Sequence, residues 1–223
     1  MGRPADKAAQ RPPVTRDRAL QVAVALADAG GIDSLSMRKL ARELGIEAMS
    51  LYYHVKNKED ILDGMVDIVF DEIEVPGPGV RWKTAMRKRA DSTRAVLARH
   101  PWAISLMDSR STPGAATLRH LDSVIGLLRE AGFSVPMAAH AVSLLDSYVR
   151  GFALQESSLP LDAAGDIGAA TQDILEQQHM IAGAFPHLAE MAQKLILRPG
   201  YAYGNEFKFG LRVILDGIEA ALS

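Results

Sequence analysis

The stretch from Ser36 to Leu62, SMRKLARELGIEAMSLYYHVKNKEDIL, limits what this chain can fold into more than any other. Ser36 belongs to the residue types that cap a helix start, Leu40, Ala41 and Leu44 then fall on one side, and Gly45 can take the left-handed conformation that closes a helix. IEAMSLYYHV resumes after a turn of about three to four residues, with Ile46, Leu51 and Val55 as its inward-facing set. Two short helices joined by a glycine-containing turn predict a helix-turn-helix. The preceding run TRDRALQVAVALADAGG supplies a further helix: Thr15 caps it, apolar residues recur from Leu20 through Val24 and Ala27, and Gly30 and Gly31 stop it.

If Leu51 and Val55, four apart, point inward, then Ala48, Met49, Ser50, Tyr52, Tyr53 and His54 largely face away from the core. Exposed tyrosines beside a cationic edge suit duplex DNA, because the hydroxyls can donate to phosphate oxygens and the rings can pack on sugars or thymine methyls. Lys58 sits near the start of the next helix, where a further phosphate would be held; Asn57 caps that helix, and Glu59 and Asp60 suit its first turn. The plainer alternative has Tyr52 and Tyr53 packing on neighbouring helices.

Charge supports the DNA face. The 223 residues carry a net charge of −2, yet residues 1–60 hold ten Lys and Arg against eight Asp and Glu, while the remainder holds 15 against 19. A basic front on an acidic body is what a chain needs when only one end meets a polyanion. There is no cysteine, which removes disulfides, thiol catalysis and cysteine-ligated zinc. No run reaches the roughly 18 apolar residues of a membrane span, and MGRPADKAAQRPPVTR lacks the apolar centre of a signal peptide, so a cytoplasmic protein without membrane contact is expected.

In order and at the family's spacing, MRKLARELGI, LYYHV and NKEDIL resemble the DNA-binding domain of the tetracycline-repressor (TetR) family of bacterial transcription regulators. RHPWAISLM, LLREAGFS, YVRGFALQE and EFKFGLRVILDGIEAAL are similar, more loosely, to the C-terminal domain of the repressors nearest the tetracycline repressor. The resemblance implies an all-α homodimer with an N-terminal three-helix DNA-binding domain. A larger helical ligand-binding and dimerisation domain follows, and a small molecule there changes the separation of two recognition helices. The expected division is a basic arm over 1–14, the helix-turn-helix domain over 15–62 and the ligand domain over 63–223. Position by position, the resemblance sets Arg38, Ala48, Ser50, Tyr52, Tyr53, His54 and Lys58 in or beside the DNA contact. Ala48 and Met49 stand where relatives often read bases, yet neither can make a bidentate hydrogen bond. Arg3, in the starting MGRPADKAAQR, resembles an arm that some relatives lay into the minor groove. A two-fold dimer implies a palindromic operator on double-stranded DNA.

In the C-terminal half, VPGPG at 75–79 breaks the chain, and helical patterns recur at about 80–99, 101–109, 112–131, 135–156, 171–184 and 204–222. Leu144, Leu145, Tyr148, Val149 and Phe152 form one apolar stripe, and Phe207, Leu211, Ile214, Leu215 and Ile218 another. Such stripes are commonly core, but a last helix this apolar has little chain left to cover it, and the family buries its counterparts between subunits. The expected dimer contacts are therefore Leu144, Tyr148, Phe207, Leu211, Ile214 and Ile218. For the effector, the family's pocket location points to Trp102, Leu106, Met107, Arg110, Phe152, Gln155 and His179, a mixture of apolar surface and a few polar groups. The tetracycline repressor holds a magnesium–drug chelate with histidines, and an ungapped alignment puts Glu74 and Leu106 at those places. An apolar organic effector is expected, with no metal and no cofactor.

Two rival classes remain. An enzyme has no GxSxG, GxxxxGK, GxGxxG or HExxH here, its histidines at 54, 100, 120, 140, 179 and 187 include no i,i+4 pair, and Asp71, Glu72 and Glu74 read as a solvated helix end. A helical protein-interaction module would leave Tyr52, Tyr53 and Lys58 without a task.

Overall fold

The structure, a computed structural model, describes residues 13–77, 79–107, 109–110, 112–159, 184–198 and 200–222. Among them are ten α-helices and no strand: α1 (Arg16–Gly30), α2 (Met37–Leu44), α3 (Ala48–Leu51), α4 (Lys58–Asp71), α5 (Trp82–Arg99), α6 (Ala103–Leu106), α7 (Ala115–Glu130), α8 (Val135–Ser158), α9 (Pro186–Met191) and α10 (Gly204–Ala220). A π-helical turn, Ala192–Ile196, follows α9. No helix of the described residues is long and apolar enough to cross a membrane. Arg3, His179 and all but the last residue of the expected helix over 171–184 lie outside the described residues.

Local chemistry sets the front of the chain. The Thr15 hydroxyl accepts from the Arg18 amide, Ser36 from Lys39 and the Asn57 side chain from Asp60, so three helices begin on caps. Gly45 closes α2 at φ 73°, ψ 33°, a conformation that costs other residues. Asp60 also accepts from the Lys56 amide and from Arg16 Nη2 at 2.9 Å, tying α1 to the start of α4. Gly64 lets the two helices meet closely, since a Cβ there would stand 2.6 Å from Leu20.

The apolar interior falls into two clusters. One joins α1, α2, α3 and the whole of α4 to Val96, Leu97, Trp102, Ala103 and Ile104, so α4 belongs to the DNA-proximal core along its full length. The other packs α5, α7, α8 and α10 around Phe133, Leu145 and Phe207.

That second cluster corrects the dimer expectation. Phe207, Leu211 and Ile218 are buried within the protomer's own core, and Ile214 and Tyr148 are partly buried against it. Tyr148 stacks on Phe207 and donates to the Glu206 and Phe207 carbonyls, an approach that Gly210 permits because any Cβ there would overlap the tyrosine hydroxyl. Of the expected contacts Leu144 does face outward, together with Val135 and Leu154 on α8 and Phe209 (58% exposed) and Val213 (52%) on α10. Helix α10 is apolar on two sides, and α5 and α8 already cover the side that the stripe predicted.

Candidate nucleic-acid interface and effector site

The helix-turn-helix presents the expected face with adjustments. Leu51 and Val55 are buried and Ile46 packs against the same core, which turns Met49 (76% exposed), Tyr52 (47%) and Tyr53 (88%) outward. Arg38 and Lys58 are exposed in the first turns of α2 and α4, while Ser50 and His54 are half-buried. Ala48 differs from expectation, resting against the core rather than pointing fully away. The recognition helix is also shorter than IEAMSLYYHV suggested: α3 spans only 48–51, then Tyr52, Tyr53 and His54 continue through tighter i→i−3 bonds. No side chain caps its start, and Val55 is already drawn into the core. The hydroxyls of Tyr52 and Tyr53 make no hydrogen bond to the described residues and stand ready for an outside partner.

Behind this face, α4 carries a ladder of carboxylates that the sequence reading left unused. Glu59, Asp63, Asp67 and Asp71 recur every fourth residue, and each meets Arg110 or the stretch 112–119. Arg110 Nη1 lies 2.5 Å from Glu59 and 3.5 Å from Asp63, and Arg119 lies 3.5 Å from Asp71. Asp67 has the strongest set: it accepts from the Ala116 amide at 3.1 Å, the Thr117 amide at 2.7 Å and the Thr117 hydroxyl at 2.9 Å. It thereby caps α7, whose own N-cap Gly114 has no side chain and leaves just the room the carboxylate needs.

The effector residues expected together occupy separate surroundings. Trp102 is buried and donates from Nε1 to Asp28 on α1 at 2.6 Å; His100 contacts the same oxygen at 2.7 Å and reaches Glu72 at 3.3 Å. This cluster, with Arg99 on Glu72 at 2.6 Å, joins the end of α4 to α1 and α5, so Glu72 is an exposed helix end that is also ion-paired. Burial alone would raise the Glu72 carboxyl, but the bonds from Arg99 and His100 hold it below its ordinary value. Glu74 is exposed, its amide donating to Ser92. Phe152 and Gln155 border a different group: Tyr203 stacks on Phe152 and donates to Gln155, while Arg94 lies over Phe152 and Phe207 and pairs with Glu156. Leu106, Met107 and Arg110 stay together beside α4, where a cavity of about 30 Å³ is lined by Val66, Phe70, Met107, Arg110 and Thr117 among others.

Between α5, α7 and α8 lies a buried polar trio. Arg89 Nε donates to His120 Nε2 at 3.1 Å and Arg89 Nη2 pairs with Asp146 at 2.8 Å, while Phe70 of α4 meets the His120 ring edge at 5.4 Å. Burial, aided by the Arg89 charge and opposed by Asp146, pushes His120 down to about 4, so the ring is neutral and accepts on Nε2.

Comparison with known proteins adds to this geometry. Residues 19–65 match the family described as bacterial regulatory proteins, tetR family, and residues 75–222 match the tetracyclin repressor-like C-terminal domain. The chain belongs to the TetR family. It is thus a helix-turn-helix transcription regulator, and the enzyme reading falls with that membership. Within TetR regulators it is 32% identical over 222 residues to the HTH-type transcriptional repressor DrrR1 of Streptomyces coeruleorubidus, covering 96% of this chain and 80% of that one. It is 30% identical over 146 residues to the class D tetracycline repressor protein of Escherichia coli, covering 64% and 66%. Among solved TetR proteins, ActR of Streptomyces coelicolor in complex with actinorhodin superposes with a TM-score of 0.76 at 31% identity, covering 95% of this chain and all of that one.

Proposed function

We propose that this protein is a repressor that holds a palindromic operator as a homodimer in the bacterial cytoplasm and is released by a small organic effector. The carrying observation is the recognition face, where Tyr52, Tyr53 and Met49 stand exposed with Arg38 and Lys58 on its flanks. Residues 15–62 act as the DNA-binding unit, 1–14 as a basic arm whose Arg3 follows the minor groove, and 63–223 as the ligand and dimerisation unit. Ser50, Tyr52, Tyr53, His54 and Lys58 hold phosphates and sugars, with Met49 and Ala48 giving apolar contact to base edges.

The dimer forms on the outer apolar face of α8 and α10, through Leu144, Leu154, Phe209 and Val213, since exposed apolar residues on two adjacent helices call for a partner. The effector engages the corner of Leu106, Met107 and Arg110, from which the α4 carboxylate ladder leads to Lys58 at the DNA. A similar regulator, ActR, has been solved with actinorhodin, which supports an organic effector of some size. Selection from a random duplex library at two salt concentrations tests the reading. Enrichment of a palindrome is expected; uniform, strongly salt-dependent retention would refute sequence-specific repression.

A further inference from the structure

We propose that the small cavity beside Arg110 is an acceptor-recognition subsite of the effector site, taking an uncharged carbonyl oxygen carried on an apolar aromatic framework; this rests on the effector reading above. Arg110 spends Nη1 on Glu59 and Asp63, while its Nε is buried and has no hydrogen-bond partner among the described residues. A buried donor left unmade works against folding, and native structures keep such groups chiefly where something else completes them. The cavity beside it, about 30 Å³, has room for one terminal group. On the α4 side its walls are Val66 and Phe70 with the Asp63 carboxylate beside them, and on the other the adaptable thioether of Met107.

Charge selects the acceptor. The guanidinium already faces two carboxylates, so an anionic oxygen would add to a negative corner, and a cation cannot accept from Nε–H. A neutral carbonyl satisfies the donor without that repulsion. The rest of the molecule extends into the adjoining groove of about 700 Å³, which shares Asp63, Thr112, Pro113 and Gly114 with the cavity. That groove is lined by six carboxylates, Asp17 and Asp63 among them, against two arginines, Arg16 and Arg119, and so disfavours an anion a second time.

Three fragments of one shape decide the matter by ligand-observed NMR on the full chain: acetophenone, its hydrocarbon counterpart cumene, and benzoate. The expected result is acetophenone binding at least roughly fivefold more tightly than either of the others. In Arg110→Lys, which keeps a cation opposite Glu59 and Asp63 but lacks the Nε donor, acetophenone should fall to the level of cumene. Should that variant not fold, carbonyl-labelled acetophenone on the wild-type protein answers instead, its ¹³C resonance moving downfield when the oxygen accepts a hydrogen bond. Equal binding of acetophenone and cumene means the cavity holds a water only, and it overturns the proposal; tighter benzoate, or no binding of any of the three, does so too. Operator retention by the same wild-type preparation is measured alongside, and its loss would sink the repressor reading without bearing on the subsite.

Discussion

Acidification should destabilise this protein through His120. In the folded chain the ring is buried against Arg89 and titrates at about 4, against 6.5 for a free histidine. Between those two values the unfolded chain binds a proton that the folded chain refuses, so stability is full above pH 6.5 and falls as the pH drops toward 4. A gap of roughly 2.5 units at 1.36 kcal/mol per unit sets a ceiling of about 3 kcal/mol, of which about 2 kcal/mol is lost by pH 5. Other groups titrate in the same range, so the measurement is a difference. Urea unfolding at fixed protomer concentration is compared at pH 7.5 and pH 5 for wild type and His120→Gln, whose amide can still accept from Arg89 but does not titrate. Wild type should lose about 2 kcal/mol more than the variant across that interval. Equal losses would refute the argument, since the burial and the Arg89 contact would then not be keeping the ring neutral.

Lys58→Ala should weaken operator binding across sequences and lower the slope of log affinity against log salt by about one, read by fluorescence anisotropy; an unchanged slope removes the phosphate contact. Tyr52→Phe should weaken DNA binding with little change in melting temperature, because the hydroxyl has no partner among the described residues; a large drop in melting temperature would assign it to the fold. Gly210→Ala should cost about 1–3 kcal/mol in chemical denaturation by pushing Tyr148 off the α10 carbonyls, and a neutral result would mean the helices separate freely. Asp67→Ala should cost about 1–3 kcal/mol and Asp67→Asn less, since the amide keeps an acceptor oxygen for α7; equal costs would mean that a neutral acceptor does not cap this helix.

The DNA-binding face was legible in the sequence because its determinants are local. Thr15, Ser36 and Asn57 bond to amides three residues on, Gly45 ends α2 on itself, and the burial of Leu51 and Val55 fixes where Tyr52 and Tyr53 point. The inner contacts of the ligand domain are non-local, and periodicity does not name a partner. Trp102 reads as a pocket aromatic until Asp28, 74 residues away, is seen to accept from its ring. Phe207 and Phe209 are two residues apart on a helix with apolar residues on both sides, and only the fold decides that the first is core and the second surface. The trio of Arg89, His120 and Asp146 joins three helices and left no mark in spacing at all.

The α4 ladder falls between these cases, since its four-residue spacing was in plain view and its meaning was not. Carboxylates at every fourth position read as a solvated face unless one knows what lies opposite. The structure puts Arg110 and residues 112–119 there, and the rungs differ in strength. The pair of Asp71 with Arg119 is largely open to water and worth about 0–1 kcal/mol, whereas in the pair of Glu59 with Arg110 only the carboxylate is well exposed. Asp67, with three donors at the start of α7, is the rung that holds α4 in place. An effector at Arg110 therefore need not break every contact to move the DNA-proximal end. Loosening the Glu59 and Asp63 rungs would leave the first two turns of α4, where Lys58 sits, held to α1 by the Arg16–Asp60 pair and by buried Ile61 and Leu62, while Asp67 keeps the rest of the helix on α7 and acts as the pivot.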